Sequence, residues 1–439
     1  MNIILLSGGS GKRLWPLSND VRSKQFIKIF KNENQEYESM IQKMYNQICS
    51  VEKKSKITIA TSKTQVSAIH NQLNENVGIS IEPCRKDTFP AIALATSYLK
   101  DIEGLDENEV VVVCPVDPYV DDEYFFAMKK IEQIASNENV NLVLMGIKPT
   151  YPSEKYGYII PSTNEEISNV VTFKEKPNKE LAKEYLKQNA LWNGGVFAYK
   201  LKYVLDIAHQ LIDFKDYYHL YSKYNELEKI SFDYAVVEKE KNIKVMKLEG
   251  KWKDLGTWNT LTESMSENII GKAILSNNCN SVHVINELDI PILCMGLNNV
   301  VVSASPDGIL VSDKEQSSYI KPYVDNINSQ IRYAEKSWGS FRVLDIQEDS
   351  MTIKVTLNKG HQMNYHMHEK RNEVWTVISG KGLAIIDGEK IPMLPGDVIK
   401  MPAGCKHTII ALTELKVIEV QSGKDINIED KIKCKLKKI

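Results

Sequence analysis

The first half of the chain alternates short apolar runs with longer amphipathic stretches. Residues 3–7, 57–60, 110–114 and 142–147 are largely apolar runs of strand length, while residues 91–100 and 125–134 carry their apolar positions at helical spacing. Alternation of strand, helix and strand predicts an α/β domain with a mostly parallel sheet covered by helices. From about residue 272 the texture changes. Short β-rich runs at 281–285, 290–295, 300–303 and 309–312 are joined by turn residues such as Asn298-Asn299 and Asp307-Gly308, which predicts a separate all-β unit. A polar stretch at 325–330 then leads to hairpin-like strands at 352–357, 374–378 and 383–386, placing a boundary near residue 330. The lysine-rich end, residues 431–438, reads as a solvated edge strand or a frayed tail.

Length and composition narrow the class. At 439 residues the chain should hold two or three domains, and 43% hydrophobic with 26% charged residues is ordinary for a globular protein. A formal net charge of −2 supplies no basic field for nucleic acid. The seven cysteines are scattered and form no C-x-x-C pair, which argues against a disulfide framework or a zinc knuckle and for a reducing, cytoplasmic setting. The apolar start, Met1 to Leu6, is too short for a signal peptide or a membrane span and reads as a buried strand, so no membrane partner is expected.

Candidate chemistry begins where that strand ends. Leu6-Ser7-Gly8-Gly9-Ser10-Gly11-Lys12-Arg13 places glycines at the carboxyl end of a strand, where open α/β sheets bind ligands and where the absence of Cβ lets phosphate approach the backbone. A Walker A loop would need glycine at 6 and Ser or Thr at 13, and a dinucleotide fingerprint would need glycine at 14; Leu6, Arg13 and Leu14 exclude both. Arg13 and Lys24 add two cations close behind the loop, suited to a triphosphate. Asp117, just past the run 110–114, emerges at the same sheet edge, as a Mg²⁺ ligand or as a turn or cap aspartate.

With its flanks Trp15-Pro16-Leu17-Ser18 and Lys24-Gln25-Phe26, the opening resembles the signature of the mannose-1-phosphate guanylyltransferases, within the sugar-phosphate nucleotidyltransferases. Further matching blocks run from Glu82 to Ala93, then Pro115-Val116-Asp117-Pro118, Phe173 to Pro177, Trp192 to Phe197, Phe232 to Ala235 and Trp252 to Trp258. The resemblance implies a Rossmann-like GT-A nucleotidyltransferase domain at 1–265 and a short left-handed β-helix at 266–329. It implies catalytic Arg13, Lys24, Asp117 and Asp254, the last two holding Mg²⁺. Nucleotide contacts would come from Leu6, Gly8, Gly9, Gly11, Lys12, Arg13, Lys24, Glu82, Thr88, Pro115 and Asp117. Sugar contacts would come from Gly157, Glu175, Lys176, Asn193 and Asp233, although surface ion pairing is a competing reading of Lys176 and Asp233. Lys12 and Phe89 depart from the family, which has threonine and a small residue there, and leave base and sugar choice open.

The C-terminal region carries a second constellation. Gly360, His366-x-His368, Glu373 and Gly380, then Gly396, Pro402-x-Gly404 and His407, meet the spacing of both cupin motifs and predict a jelly-roll β-barrel at 330–439. Period-two alternation puts His366 and His368 on one inward face, where Glu373 and His407 can converge. Three imidazoles and a carboxylate suit Zn, Mn, Fe or Ni, against the alternative of metal-free, hydrogen-bonded histidines. The barrel resembles the type II phosphomannose isomerase domain fused to many guanylyltransferases, with Trp338-Gly339 and Glu419 to Gly423 also matching; His366 stands where that family has glutamine, and Lys336-Ser337 departs from its Arg-Pro.

The expected partners are therefore GTP and a sugar 1-phosphate, with mannose 1-phosphate first and a manno-heptose 1-phosphate or another nucleotide as alternatives. A homodimer is left open. A nucleotide-sugar sensor without turnover is the reading from a different class; catalytic residue types at 13, 24, 117 and 254 argue against it.

Overall fold

The computed structural model describes residues 1–9, 11–19, 21–73, 77–137, 139–327, 330–427 and 430–435. Ser10 of the glycine run and the tail from 436 onward lie outside them. The chain divides into two compact units: Met1–Leu14, Ser23–Val66 and Gln72–Ser266 form one, and Trp15–Arg22, Ser67–Asn71 and Glu267–Ile439 the other.

The first unit is built on a nine-stranded sheet in the order Gly78–Glu82, Lys56–Ser62, Asn2–Leu6, Val110–Pro115, Leu191–Lys200, Leu142–Ile147, Ile243–Leu248, Ile167–Lys174, Tyr158–Pro161. Val111, Val112, Val113 and Cys114 are wholly buried, as a strand covered on both faces must be. The first four strands are parallel. Beyond them the sheet is mixed, a correction to the mostly parallel expectation: Leu191–Lys200 runs antiparallel to both its neighbours, and Tyr158–Pro161 and Ile167–Lys174 close the far edge as a hairpin. The helix Thr88–Asp101 contains the expected 91–100 and begins on an Asp87 side chain that accepts from the Thr88 N–H. Asp122–Asn137 contains 125–134, with Asp122 and Glu123 in the first turn where carboxylates favour the helix dipole.

In the second unit, Ile269–Ile270, His283–Asn286 and Val300–Ser305 pair in parallel, as do Ala273–Leu275 and Ile292–Cys294, with a parallel bridge from Asn280 to Asn298. Successive turns of chain thus stack strand on strand into a short coil, which ends in an antiparallel hairpin with Gly308–Asp313. Two antiparallel sheets follow, one of six strands from Tyr333 to Gly423 and one of five that includes His366–Met367, His407–Ala411 and the edge strand Ile432–Lys433. Coil and barrel fall within one compact unit, and Trp15–Arg22 groups with them.

Candidate functional site

At the carboxyl ends of the parallel strands a pocket of about 410 Å³ opens in the first unit. Its walls include Leu6, Gly8, Gly9, Glu82, Thr88, Pro115 and Asp117. The glycines have different tasks. A Cβ on Gly8 or Gly9 would meet nothing within 4 Å, so these positions leave the pocket side open. Gly11 has φ +62, and a Cβ there would lie 2.8 Å from the Lys24 backbone nitrogen, so it is required for packing. Buried side chains hold the loop: Ser23 Oγ donates to the Gly9 carbonyl at 2.9 Å, Gln25 Nε2 donates to Ser7 Oγ at 3.0 Å, and Gln65 Nε2 donates to Ser23 Oγ at 2.6 Å.

Gly11, Lys12, Arg13 and Lys24 do not line that pocket; they follow it in the chain, with Lys12–Leu14 forming a short 3₁₀ turn. Lys24 reaches Asp117, Nζ to Oδ2 at 2.7 Å. Burial alone would lower the ammonium's pKa, but the charges of Asp117 and Asp254 outweigh it and raise the pKa. The strand Trp252–Asp254 pairs antiparallel with Pro118–Val120 in a register that sets Asp254 opposite Pro118, one residue past Asp117. A two-stranded ribbon therefore carries both carboxylates to one place. Burial and the Asp117 charge raise the Asp254 pKa, against the opposing pull of Lys24 and Arg13. A buried carboxylate brought beside a second one fits a divalent cation, and Gly256 beside the Asp254 carboxylate keeps the space clear.

The expected sugar residues also meet. Asn193 donates through its amide to Asp233 at 2.6 Å, its backbone N–H donates to the Gly157 carbonyl at 2.8 Å, and its side-chain oxygen accepts from Gly195 at 3.1 Å. Glu175 is buried, accepts from Lys176 Nζ at 2.7 Å, and packs so closely on Gly157 that a Cβ there would fall 2.5 Å from its carboxylate. Burial and the Glu175 charge push Asp233 up to about 7, and Lys176 pairs with Glu175. Phe89 packs in the core against Phe232 and does not line the pocket. The sequence reading did not assign Gln65, Arg85, Lys86 or Lys229 a role, and all four line the pocket. Arg85 and Lys86 stand within a matched block; Lys229 carries no sequence signal.

The barrel cluster is complete: the ligand atoms of His366, His368, Glu373 and His407 lie within 4.8 Å of one another, all buried. Each imidazole Nδ1 meets a backbone carbonyl, His366 on Asn364 at 2.6 Å, His368 on Asp430 at 2.8 Å and His407 on Cys405 at 3.0 Å. A carbonyl only accepts, so Nδ1 carries a proton and Nε2 is the atom that each ring turns toward the cluster. Nε2 of His368 lies 3.1 Å and that of His407 3.2 Å from the Glu373 carboxylate, and the latter nitrogen is buried with no hydrogen-bond partner. Ring nitrogens turned on a carboxylate fit an interposed transition-metal cation. Burial pushes His366 down to about 3, which keeps its ring neutral.

Period-two alternation extends the site beyond these four. Arg371, Glu373, Trp375 and Val377 face inward from one strand, and Leu415, Val417, Glu419 and Gln421 from its neighbour. Arg371, Glu373, Trp375, Glu419 and Gln421 line a cavity of about 290 Å³ together with Lys336 and Lys431. Arg371 donates to Glu373 and to His368 Nε2, each at 3.2 Å, and burial with the Glu373 charge pushes Glu419 up to about 8.

A Rossmann-like sheet with a glycine loop, a pair of acidic residues and a cation at its ligand edge defines a nucleotidyl transferase, and the chain belongs to the nucleotidyl transferase family, whose model matches residues 2–269. A cupin domain model matches residues 353–421. Among its relatives is the mannose-1-phosphate guanylyltransferase RfbM of Salmonella typhimurium, 28% identical over 98% of this chain and 96% of that protein. The xanthan biosynthesis protein XanB of Xanthomonas campestris is 28% identical over 97% of this chain and 96% of its own. A crystal structure titled mannose-1-phosphate geranyltransferase, from Thermus thermophilus, superimposes with a TM-score of 0.62 at 25% identity, covering 75% of this chain and 99% of that one.

Proposed function

We propose that this chain forms GDP-mannose and pyrophosphate from GTP and mannose 1-phosphate. The observation that carries the reading is the pairing of Asp117 and Asp254 around Lys24, at the sheet edge that bears the glycine loop. The choice of mannose and guanine rests on relatives that match nearly the whole chain.

In this reading the Gly8-Gly9 backbone and the pocket cations Arg85, Lys86 and Lys229 bind the nucleotide. Glu175, Asn193 and Asp233 orient the sugar, so that its phosphate oxygen meets the α-phosphorus in line with the departing pyrophosphate. Arg13 and Lys24 offset charge as the new P–O bond forms and the bond to the bridging oxygen breaks. Asp117 and Asp254 would hold Mg²⁺, which when bound draws the triphosphate oxygens into place and neutralises them.

The reading keeps domains at 1–265, 266–329 and 330–439, the middle one a left-handed coil, and carries the expectations of a cytoplasmic location and a homodimer. Pyrophosphate release across a panel of triphosphates and sugar 1-phosphates tests it. The fastest turnover is expected with GTP and mannose 1-phosphate; preference for a heptose 1-phosphate or another nucleotide would reassign the substrate, and no turnover at all would favour a sensor.

His366, His368 and Arg371 on one barrel cavity, with His407 completing the cluster beside them, favour a second reading there. His366, His368, Glu373 and His407 would hold a transition metal of the Zn, Mn, Fe or Ni class, which polarises sugar oxygens when bound. The matching activity is interconversion of fructose 6-phosphate and mannose 6-phosphate. Its test is that conversion by the full chain, with metal analysis of the purified protein.

A further inference from the structure

The signature stretch Trp15–Arg22 is held by a dense set of bonds within the second unit. Arg22 meets the Glu287 carboxylate with two parallel bonds, Nη1 to Oε2 and Nη2 to Oε1, both at 2.8 Å. Its guanidinium lies 5.2 Å from the centre of the Tyr333 ring, and Arg342 donates to the Glu287 carbonyl at 3.3 Å. Asn19 donates to the Asp307 carboxylate at 2.6 Å, while the other oxygen of that carboxylate accepts the Arg332 backbone N–H at 2.7 Å. Ser305 Oγ donates to the Pro16 carbonyl at 2.7 Å, and Gly308, with φ +154, leaves the room that the Trp15 ring occupies. A bidentate, charge-assisted pair that is largely buried fixes orientation as well as distance. Burial alone would lower the Arg22 pKa, but Glu287 outweighs it and raises the pKa.

What this stretch connects gives it meaning. It leaves from Arg13-Leu14 and returns at Ser23-Lys24, so both cations assigned to the triphosphate are at its ends. Ser23, the first residue after it, donates to the Gly9 carbonyl. Any slack in residues 15–22 passes along the chain to Arg13, to Lys24 and to the glycine loop. An error of about 1 Å at such groups can cost on the order of a hundredfold in rate.

We propose that Glu287 and Asp307 are positioning residues for nucleotidyl transfer, acting through Trp15–Arg22 on the placement of Arg13 and Lys24. The inference rests on the reading of this chain as a nucleotidyl transferase. It assigns to residues outside the family match, which ends at 269, a part in triphosphate binding.

The test uses the full chain and two variants, Glu287→Gln, which keeps shape but loses the charge, and Asp307→Asn. Binding of GTP with Mg²⁺ by calorimetry and steady-state kinetics are read side by side with thermal melting. The expected result for Glu287→Gln is an affinity and a KM for GTP weakened about tenfold, with KM for mannose 1-phosphate within about twofold, and a smaller change in the same direction for Asp307→Asn. The exchange Arg22→Glu with Glu287→Arg should recover part of the GTP affinity lost in Arg22→Glu alone. A role in stability alone would lower the melting midpoint and leave GTP affinity within about twofold in both variants, which would overturn the proposal. GTP binding needs no turnover, so a wild-type chain that binds GTP without transferring it would fail the proposed function while still testing this one.

Discussion

In the first unit the charged groups gather at the rim of a sheet, delivered by a short 3₁₀ turn and a two-stranded ribbon from positions as distant as Lys24, Asp117 and Asp254. In the barrel they are planted on strands, with Glu373 and Glu419 facing inward beside Trp375 and Val417. The rim site leaves Asp117 about a third exposed and uses glycine backbone, so it can admit a large, highly charged substrate. The barrel site buries every ligand side chain and fixes each histidine tautomer with a carbonyl, so its donors converge before anything binds. One is a place for charge to pass through, the other a place for charge to stay.

The largest expected effect breaks the rim. Asp117→Ala should lower the rate of pyrophosphate formation about a thousandfold or more while far-ultraviolet circular dichroism and the melting midpoint stay near wild type. A rate within tenfold of wild type would remove Asp117 from the metal pair. Next come the glycines, which separate packing from binding. Gly11→Ala places a side chain at positive φ against the Lys24 backbone and should cost about 1–3 kcal/mol of stability along with most of the transfer rate. Gly8→Ala should melt like wild type and raise KM for GTP; equal melting losses in both would contradict the division.

On the barrel side, His407→Ala removes one donor of four and should drop the bound transition metal from near one per chain to a small fraction, read by elemental analysis. A protein that purifies without such a metal, and does not take one up, would leave the cluster as a hydrogen-bonded core.

The smallest effect concerns Asp233. Its folded pKa of about 7 stands above the usual carboxylate value near 4, so the folded state holds the proton more tightly than the unfolded state does. Its contribution is therefore fully present below about pH 4 and is lost as pH rises toward 7. The melting midpoint of wild type minus that of Asp233→Asn should fall by a few degrees between pH 5 and pH 8, and an unchanged difference would refute the raised pKa.

Much of this was legible in the residues, for reasons that differ between the two regions. Barrel ligands follow from period two, and the same alternation, Arg371-x-Glu373 and Glu419-x-Gln421 running into Trp375 and Val417, is the signal that could have found the polar wall that sequence reading passed over. The glycine loop was readable as a phosphate turn, and the resemblance supplied Asp254, whose approach to Asp117 depends on a ribbon between segments far apart in sequence. The mixed half of the sheet was not legible, because Leu191–Lys200 enters between strands that precede it and nothing local encodes its direction. Phe89 read as a change in the ligand site; its side chain instead follows the buried face of its helix into the core.

The most direct test is the rate of pyrophosphate release from GTP and mannose 1-phosphate with Mg²⁺, measured for wild type, Asp254→Ala and His407→Ala in parallel. The account predicts robust release by wild type, loss with Asp254→Ala, and release by His407→Ala at close to the wild-type rate. Loss with His407→Ala and retention with Asp254→Ala would contradict it.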